Sequence, residues 1–292
     1  MLLVLIVIIF SIPSVQTWVA KKVTTNLNET YGTDIHIKRL GLNWKGEVDI
    51  REVYIADHHN DTLIYSKEVQ TNIINFQNMV QGDLGFGDIA LDEAKLYVKI
   101  YKGEESDNLS IFAKKFDTGK PSTSPFSLFG NDVQLTNSRV KIINENLENP
   151  DIFILNNVNI TANNLKINGP EVQVNIENLS LVAARGFVIE DMQADFFYTE
   201  TNITLKDLNL KTTESQLIGD VDLDYSKNGM ADFVNDVVIT ANLKDSKVAT
   251  NDLNDFYNEF GPNQIIFLDA AMKGTLNDFT ATDLNFRTGD TN

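Results

Sequence analysis

In the stretch VNIENLSLVA, residues 174 to 183, Val174 and Ile176 alternate with polar neighbours, Leu179 follows three residues later, and alternation resumes at Leu181. Residues two apart share one face of a strand, so period two marks a sheet buried on one side. A three-residue step turns the second half of the strand to the wrong face unless the backbone absorbs a residue. The same pattern, apolar at i, i+2, i+5 and i+7, recurs as Ile35/Ile37/Leu40/Leu42, Val48/Ile50/Val53/Ile55, Ile203/Leu205/Leu208/Leu210 and Phe279/Ala281/Leu284/Phe286. A looser form with a five-residue step runs through Ile89/Leu91/Leu96/Val98, Val133/Leu135/Val140/Ile142 and Val158/Ile160/Leu165/Ile167.

Two local structures absorb such a step. A two-residue hairpin turn wants Asn-Gly, Asp-Gly or Gly-x. The central pairs here are Lys38-Arg39, Arg51-Glu52, Glu177-Asn178, Lys206-Asp207 and Thr282-Asp283, none with glycine. A β-bulge inserts one residue, bends the strand and keeps both halves apolar on the same side. The bulge is the favoured reading.

Turn-like clusters (DHHND, YKGEESDN, NGP, SKNGM) separate the apolar segments. At about 12 residues per strand and loop, the chain accommodates roughly 20 strands. Open twisted sheets rarely exceed about 10 strands without curling or splitting. The expected fold is therefore mainly β, an elongated and curved antiparallel β-groove, taco-like and built from repeats.

Helices punctuate it. Val15, Trp18, Val19, Val23, Leu27 and Tyr31 fall at helical spacing with Lys21 and Lys22 opposite, which predicts an amphipathic helix from Pro13 to Tyr31. NLSIFAKKF (108–116) and DLNDFYNEF (252–260) each carry one apolar stripe and open on a residue suited to N-capping, Asn108 and Asp252. Ahead of Pro13 the run MLLVLIVIIFSI is apolar throughout. It is shorter than the roughly 20 residues a bilayer crossing needs, and it lacks the basic start of a signal peptide. It reads as the end of a transmembrane helix that begins upstream, with Trp18 at the membrane interface. The expected organisation is 1–31 anchor end and amphipathic helix, 32–116 an N-terminal β module, 117–130 a loop, and 131–292 groove repeats cut short at the C-terminus.

The formal net charge is −17, from 41 acidic and 24 basic residues. Nucleic acid is excluded as a partner, because its affinity comes from neutralising phosphates with Lys and Arg. The absence of cysteine removes disulfides, thiol nucleophiles and thiolate metal sites. Of the three histidines, His58 and His59 are adjacent, between Asp57 and Asp61. Neighbours on an extended strand point opposite ways, so no metal site is expected there. No catalytic triad spacing, phosphate loop or dinucleotide fingerprint occurs. Neither an enzyme nor a cofactor is expected.

Several longer stretches carry a resemblance. They are IPSVQTWVAKKVTTNLNETYGTDIHIKRL, LNWKGEVDIREVYIADHHNDTLIYSKEV, NMVQGDLGFGDIALDEAKLYVKIY, DNLSIFAKKF, and DLNDFYNEF followed by AAMKGTLNDFTATDLNFRTGD. Together they resemble the N-terminal portion of TamB-type proteins of the AsmA-like superfamily, in the version common among Bacteroidota. The resemblance implies a single-pass inner-membrane anchor, a periplasmic body with an apolar lumen, and phospholipid transport between inner and outer membrane. It also implies an alternative role, a scaffold for outer-membrane protein assembly or secretion with a partner barrel. That barrel would be met through a C-terminal region beyond Asn292. On this reading phospholipid acyl chains lie along Ile35, Ile37, Leu40, Leu42, Val48, Ile50, Val53, Ile55, Val174, Ile176, Leu179, Leu181, Ile203, Leu205, Leu208 and Leu210.

Overall fold

The computed structural model describes residues 13–43, 47–73, 83–115, 127–148, 150–168, 171–183, 186–227, 229, 233–255 and 260–289. The apolar run 1–12 and its expected membrane crossing lie outside the described residues. Among the described residues no helix is long and apolar enough to cross a membrane. The chain falls into two compact units, residues 1–159 with 164–169, and residues 160–163 with 170–292. Both are built mainly of strands.

In the first unit a helix, Pro13–Tyr31, has the expected bounds, although Lys21 and Lys22 stand beside Trp18 and not opposite it, and it precedes β1 (Asp34–Leu42) and β2 (Glu47–Ala56). Then come β3 (Thr62–Ile73), β4 (Asp83–Asp92), β5 (Lys95–Ile100), β6 (Ser127–Asn144) and β7 (Asp151–Asn168). The hydrogen-bonded order is β1-β2-β3-β4-β6-β7, with β5 beside β3 and β6. Asn28 fastens the helix to the sheet: its Nδ2 donates to the Ile35 carbonyl at 3.0 Å, and its Oδ1 accepts from the Ile35 N–H at 2.9 Å.

This sheet corrects the expectation of uniform antiparallel pairing, since β6 runs parallel to both β4 and β5. The reason lies in the link. Parallel neighbours need a crossover rather than a tight turn, and the segment between β5 and β6 carries the short helix Asn108–Lys114. That helix is capped by Asp107, whose side chain accepts from the Ser110 N–H, and not by Asn108. β6 also begins at Ser127, inside the stretch expected to be loop.

The second unit holds β8 (Glu171–Ala183), β9 (Val188–Tyr198), β10 (Asn202–Thr212), β11 (Gln216–Asp224), β12 (Val238–Ala249), β13 (Ile265–Gly274) and β14 (Phe279–Gly289). These strands neighbour one another in chain order, antiparallel throughout. A short helix spans Thr250–Asn254, starting two residues earlier than expected. Asp252 does not cap it, because its carboxylate accepts instead from the Thr212 and Ser215 hydroxyls.

The described residues contain fourteen strands rather than twenty, since β6 and β7 reach 18 residues each. Except between β4 and β5, the phase steps do not end strands. They are absorbed inside them.

Two ways of absorbing the step are visible. In the second unit β8 and β9 step together, from Ile176↔Ala194 to Leu181↔Ile189, whereas β10, β12 and β14 each take an extra residue against a neighbour. The register of β10 shifts between Leu205 and Leu208 against β11, that of β12 between Leu243 and Ser246 against β13, and that of β14 between Asn285 and Thr282 against β13. Each bulge contains one aspartate in the left-handed region: Asp207 (φ 50°), Asp245 (φ 51°) and Asp283 (φ 51°). Short polar side chains tolerate that conformation better than other non-glycine residues. The next strand caps the bulge: the Asp207 N–H donates to the Asp220 carboxylate at 3.0 Å, and the Asp245 N–H to Asp269 at 2.6 Å. In the first unit neighbouring strands step together. The β1–β2 register runs unshifted from Ile35↔Ile55 to Leu42↔Val48, with Glu52 left-handed at φ 52°. Glu93 and Asn137 are left-handed at the same level of β4, β5 and β6. Bulges and matched steps hold the apolar patterns within one strand, except Ile89/Leu91/Leu96/Val98, which passes from β4 to β5 along the same neighbour β6; none of them forms a hairpin.

Candidate functional site

Residues directly opposite in an antiparallel pair point to the same face. In the first unit Ile35 faces Ile55, Ile37 faces Val53, Leu40 faces Ile50, and Leu42 is registered against Val48. Two apolar quartets therefore meet position by position. In the second unit Ile203 is registered to Tyr198 and Leu223, Leu205 to Phe196 and Val221, and Leu210 to Met192 and Leu217. Val174 and Ile176 face Phe196 and Ala194, and Leu181 faces Ile189. Met192, Ala194 and Leu208 form a buried cluster, packed by Ile176, Leu179, Ile189, Leu205, Leu210 and Val221. Residues from both sides of the step, Leu205 with Leu208 and Ile176 with Leu179, thus lie on one side of the sheet. That is what the bulge reading requires.

Fifteen of the sixteen expected lining residues have described side chains, Leu42 being the exception, and they are not equivalent. Val48, Leu181 and Leu208 are buried within the protein. Ile35, Ile37, Leu40, Ile50, Val53, Ile55, Val174, Ile176, Leu179, Ile203, Leu205 and Leu210 are half-buried, part of each side chain being open to solvent. The face so formed in each unit is aliphatic and incompletely covered. Met192, Ala194 and Phe196 of β9 belong to it as well. They alternate without a step and so fall outside the i, i+2, i+5, i+7 pattern.

A second feature sits at the step in β1 and β2. Lys38, Arg39, Arg51 and Glu52 line a cleft of about 710 Å³ with Ser14, Thr17, Trp18 and Lys21 of the first helix. Four cations and one carboxylate converge there, against the strongly acidic balance of the chain. Lys38 pairs with Glu52 at 2.5 Å; the Glu52 carboxylate holds the ammonium pKa above its usual range. Trp18 is 62% exposed and stands beside the Lys22 ammonium, 5.7 Å from the ring centroid.

A third cluster brings together residues the sequence reading set aside. His58 and His59 lie in the turn between β2 and β3, so the strand rule that separates neighbouring side chains does not apply to them. His58 Nε2 lies 2.8 Å from Glu104 Oε2, and His59 Nε2 lies 2.7 Å from Glu104 Oε1. The turn is built on buried Asp57. Its Oδ1 accepts from the N–H groups of His59 and Asp61 at 2.9 and 3.0 Å. Its Oδ2 accepts from the Tyr101 hydroxyl at 2.7 Å and from Asn108 Nδ2 at 2.8 Å. Burial pushes the Asp57 carboxyl up, but the Asn108 and Tyr101 bonds and the two N–H donors outweigh it and hold the pKa below its usual value. Tyr101 stacks on His59 with centroids 3.8 Å apart and meets His58 edge-on at 5.5 Å. Glu104 is anchored in turn: its N–H donates to the Tyr101 carbonyl at 3.0 Å, and its own carbonyl accepts from Asn146 Nδ2 at 2.9 Å. Nothing in local sequence links Glu104 to the histidines, since it arrives from a turn more than forty residues away.

No family model matches the chain, and no curated protein matches it.

Proposed function

We propose that this chain handles phospholipid in a Gram-negative envelope, held at the inner membrane by its N-terminal apolar run and extending into the periplasm as a curved β-groove. Acyl chains lie along the half-buried aliphatic face, and phospholipid passes between inner and outer membrane. The observation that carries this reading is the opposition of apolar residues across adjacent strands, which leaves an aliphatic strip on β1–β2 and another on β8–β11 only partly covered. Each methylene removed from water onto such a strip contributes about 0.8 kcal/mol, so even partial burial of one acyl chain is favourable. The basic cleft beside Trp18 supports the same reading, because Lys21, Arg39 and their neighbours suit an anionic headgroup at the entrance. The resemblance to TamB-type proteins points in the same direction.

The test is a photo-crosslinking residue placed at Leu179, on the aliphatic face, or at exposed Glu177, on the other. Lipid adducts identified by mass spectrometry are expected at Leu179 and not at Glu177. Equal labelling at both positions, or no lipid at either in protein extracted with mild detergent, refutes the proposal. In the same assay Leu179→Asp should lower adduct formation at Leu210 while circular dichroism still reports a folded sheet.

A further inference from the structure

We infer that His58, His59 and Glu104 form a binding site for a divalent transition metal of the zinc class. The ligand atoms of the three side chains lie within 4.8 Å of one another, so an ion placed among them reaches all three with small rotations. The donor set is imidazole, imidazole and carboxylate, which suits zinc, copper and nickel rather than calcium or magnesium. Three protein ligands leave the ion a further coordination position, and the exposed side of His59 leaves room for water to fill it.

What distinguishes the cluster from a chance surface contact is its support. Asp57 fixes the turn that carries both histidines, Tyr101 packs against both rings, and Asn146 holds the backbone of Glu104. These contacts hold the two turns and pack the rings, so the three ligand side chains start from fixed positions. A dication takes the lone pair of each ring and the carboxylate charge together. Bound there, it ties the turn after β2 to the turn after β5, two points far apart in the chain.

The experiment uses the full chain without a histidine tag, dialysed against Zn²⁺ and measured by elemental analysis. Co²⁺ replaces zinc in a parallel sample to report coordination by its visible absorption. One zinc per chain is expected, with absorption bands of a low-coordinate cobalt site. The pair His58→Ala and His59→Ala should weaken binding at least a hundredfold. Glu104→Gln, which keeps the shape but removes the charge and one acceptor oxygen, should weaken it at least tenfold. His36→Ala should leave binding unchanged. Thermal melts in chelator should be the same for wild type and Glu104→Gln, whereas added zinc should raise only the wild-type midpoint appreciably. Binding far below one zinc per chain overturns the assignment. So does stoichiometric zinc that persists unchanged in Glu104→Gln and in the double histidine variant.

Discussion

Leu208 tests the idea that the phase step exists to keep both halves of a strand on one side. It follows the bulge, is 3% exposed, and packs with Met192 and Ala194. Had the step flipped the strand, Leu208 would face the opposite surface. Truncation to alanine removes three carbons, and at about 0.8 kcal/mol each the transfer contribution is about 2.4 kcal/mol. A cavity adds to this, but its walls are partly open Ile176, Leu179, Leu205 and Leu210, which can relax inward. The expected cost of Leu208→Ala is therefore about 3 kcal/mol, toward the lower part of the range for buried leucine. Leu205→Ala, before the step and half-buried, should cost about 1 kcal/mol by the same area argument. Hydrogen exchange resolved to the β9, β10 and β11 peptides reports both values locally, without requiring the whole chain to unfold as one. Leu208→Ala costing under about 1 kcal/mol, or no more than Leu205→Ala, would refute the same-side packing, since buried leucine truncations normally exceed that.

Two further outcomes follow from the backbone. At Gly219 (φ +147°) an added Cβ would lie 1.9 Å from the Asn242 carbonyl oxygen of β12, so Gly219→Ala should cost roughly 3 kcal/mol in urea unfolding, while Gly261→Ala, which meets nothing within 4 Å, should stay within about 0.5 kcal/mol. Asp220→Ala removes the acceptor of the Asp207 N–H; with water able to replace it, the cost should be about 0.5–1 kcal/mol, read as faster exchange of that one amide with its neighbours unchanged.

The β class, the helix from Pro13 to Tyr31 and the helix near residue 108 were legible because each rests on a short-range period. The bulges were legible too, from the steps between Leu205 and Leu208 and between Ala281 and Leu284. What identifies their centre is an aspartate in the polar gap, as at Asp207, Asp245 and Asp283, a signal a hydrophobic pattern ignores. The parallel pairing of β6 was not legible. It depends on where the chain returns after the helix Asn108–Lys114, and alternation is the same for either direction. The N-caps were misplaced because Asn108 and Asp252 have stronger uses elsewhere, one toward Asp57 and the other toward Thr212 and Ser215. His58 and His59 were read with strand geometry although they occupy a turn. Only the fold could bring Glu104 to them.

Asp207, Asp245 and Asp283 stand at equal intervals along the chain, one bulge to every second strand, each followed by a regular strand where the structure describes one. This makes the hairpin, and not the strand, the smallest piece that can be gained or lost. Remove β11 alone and two bulged strands become neighbours, with Asp207 robbed of its acceptor on Asp220. Remove β11 and β12 together and β10 meets β13, a regular strand that carries Asp269 and has just lost the bulge it served. Lengths of related chains should accordingly differ by whole hairpins, and an engineer wishing to lengthen or shorten this sheet should cut at that pitch.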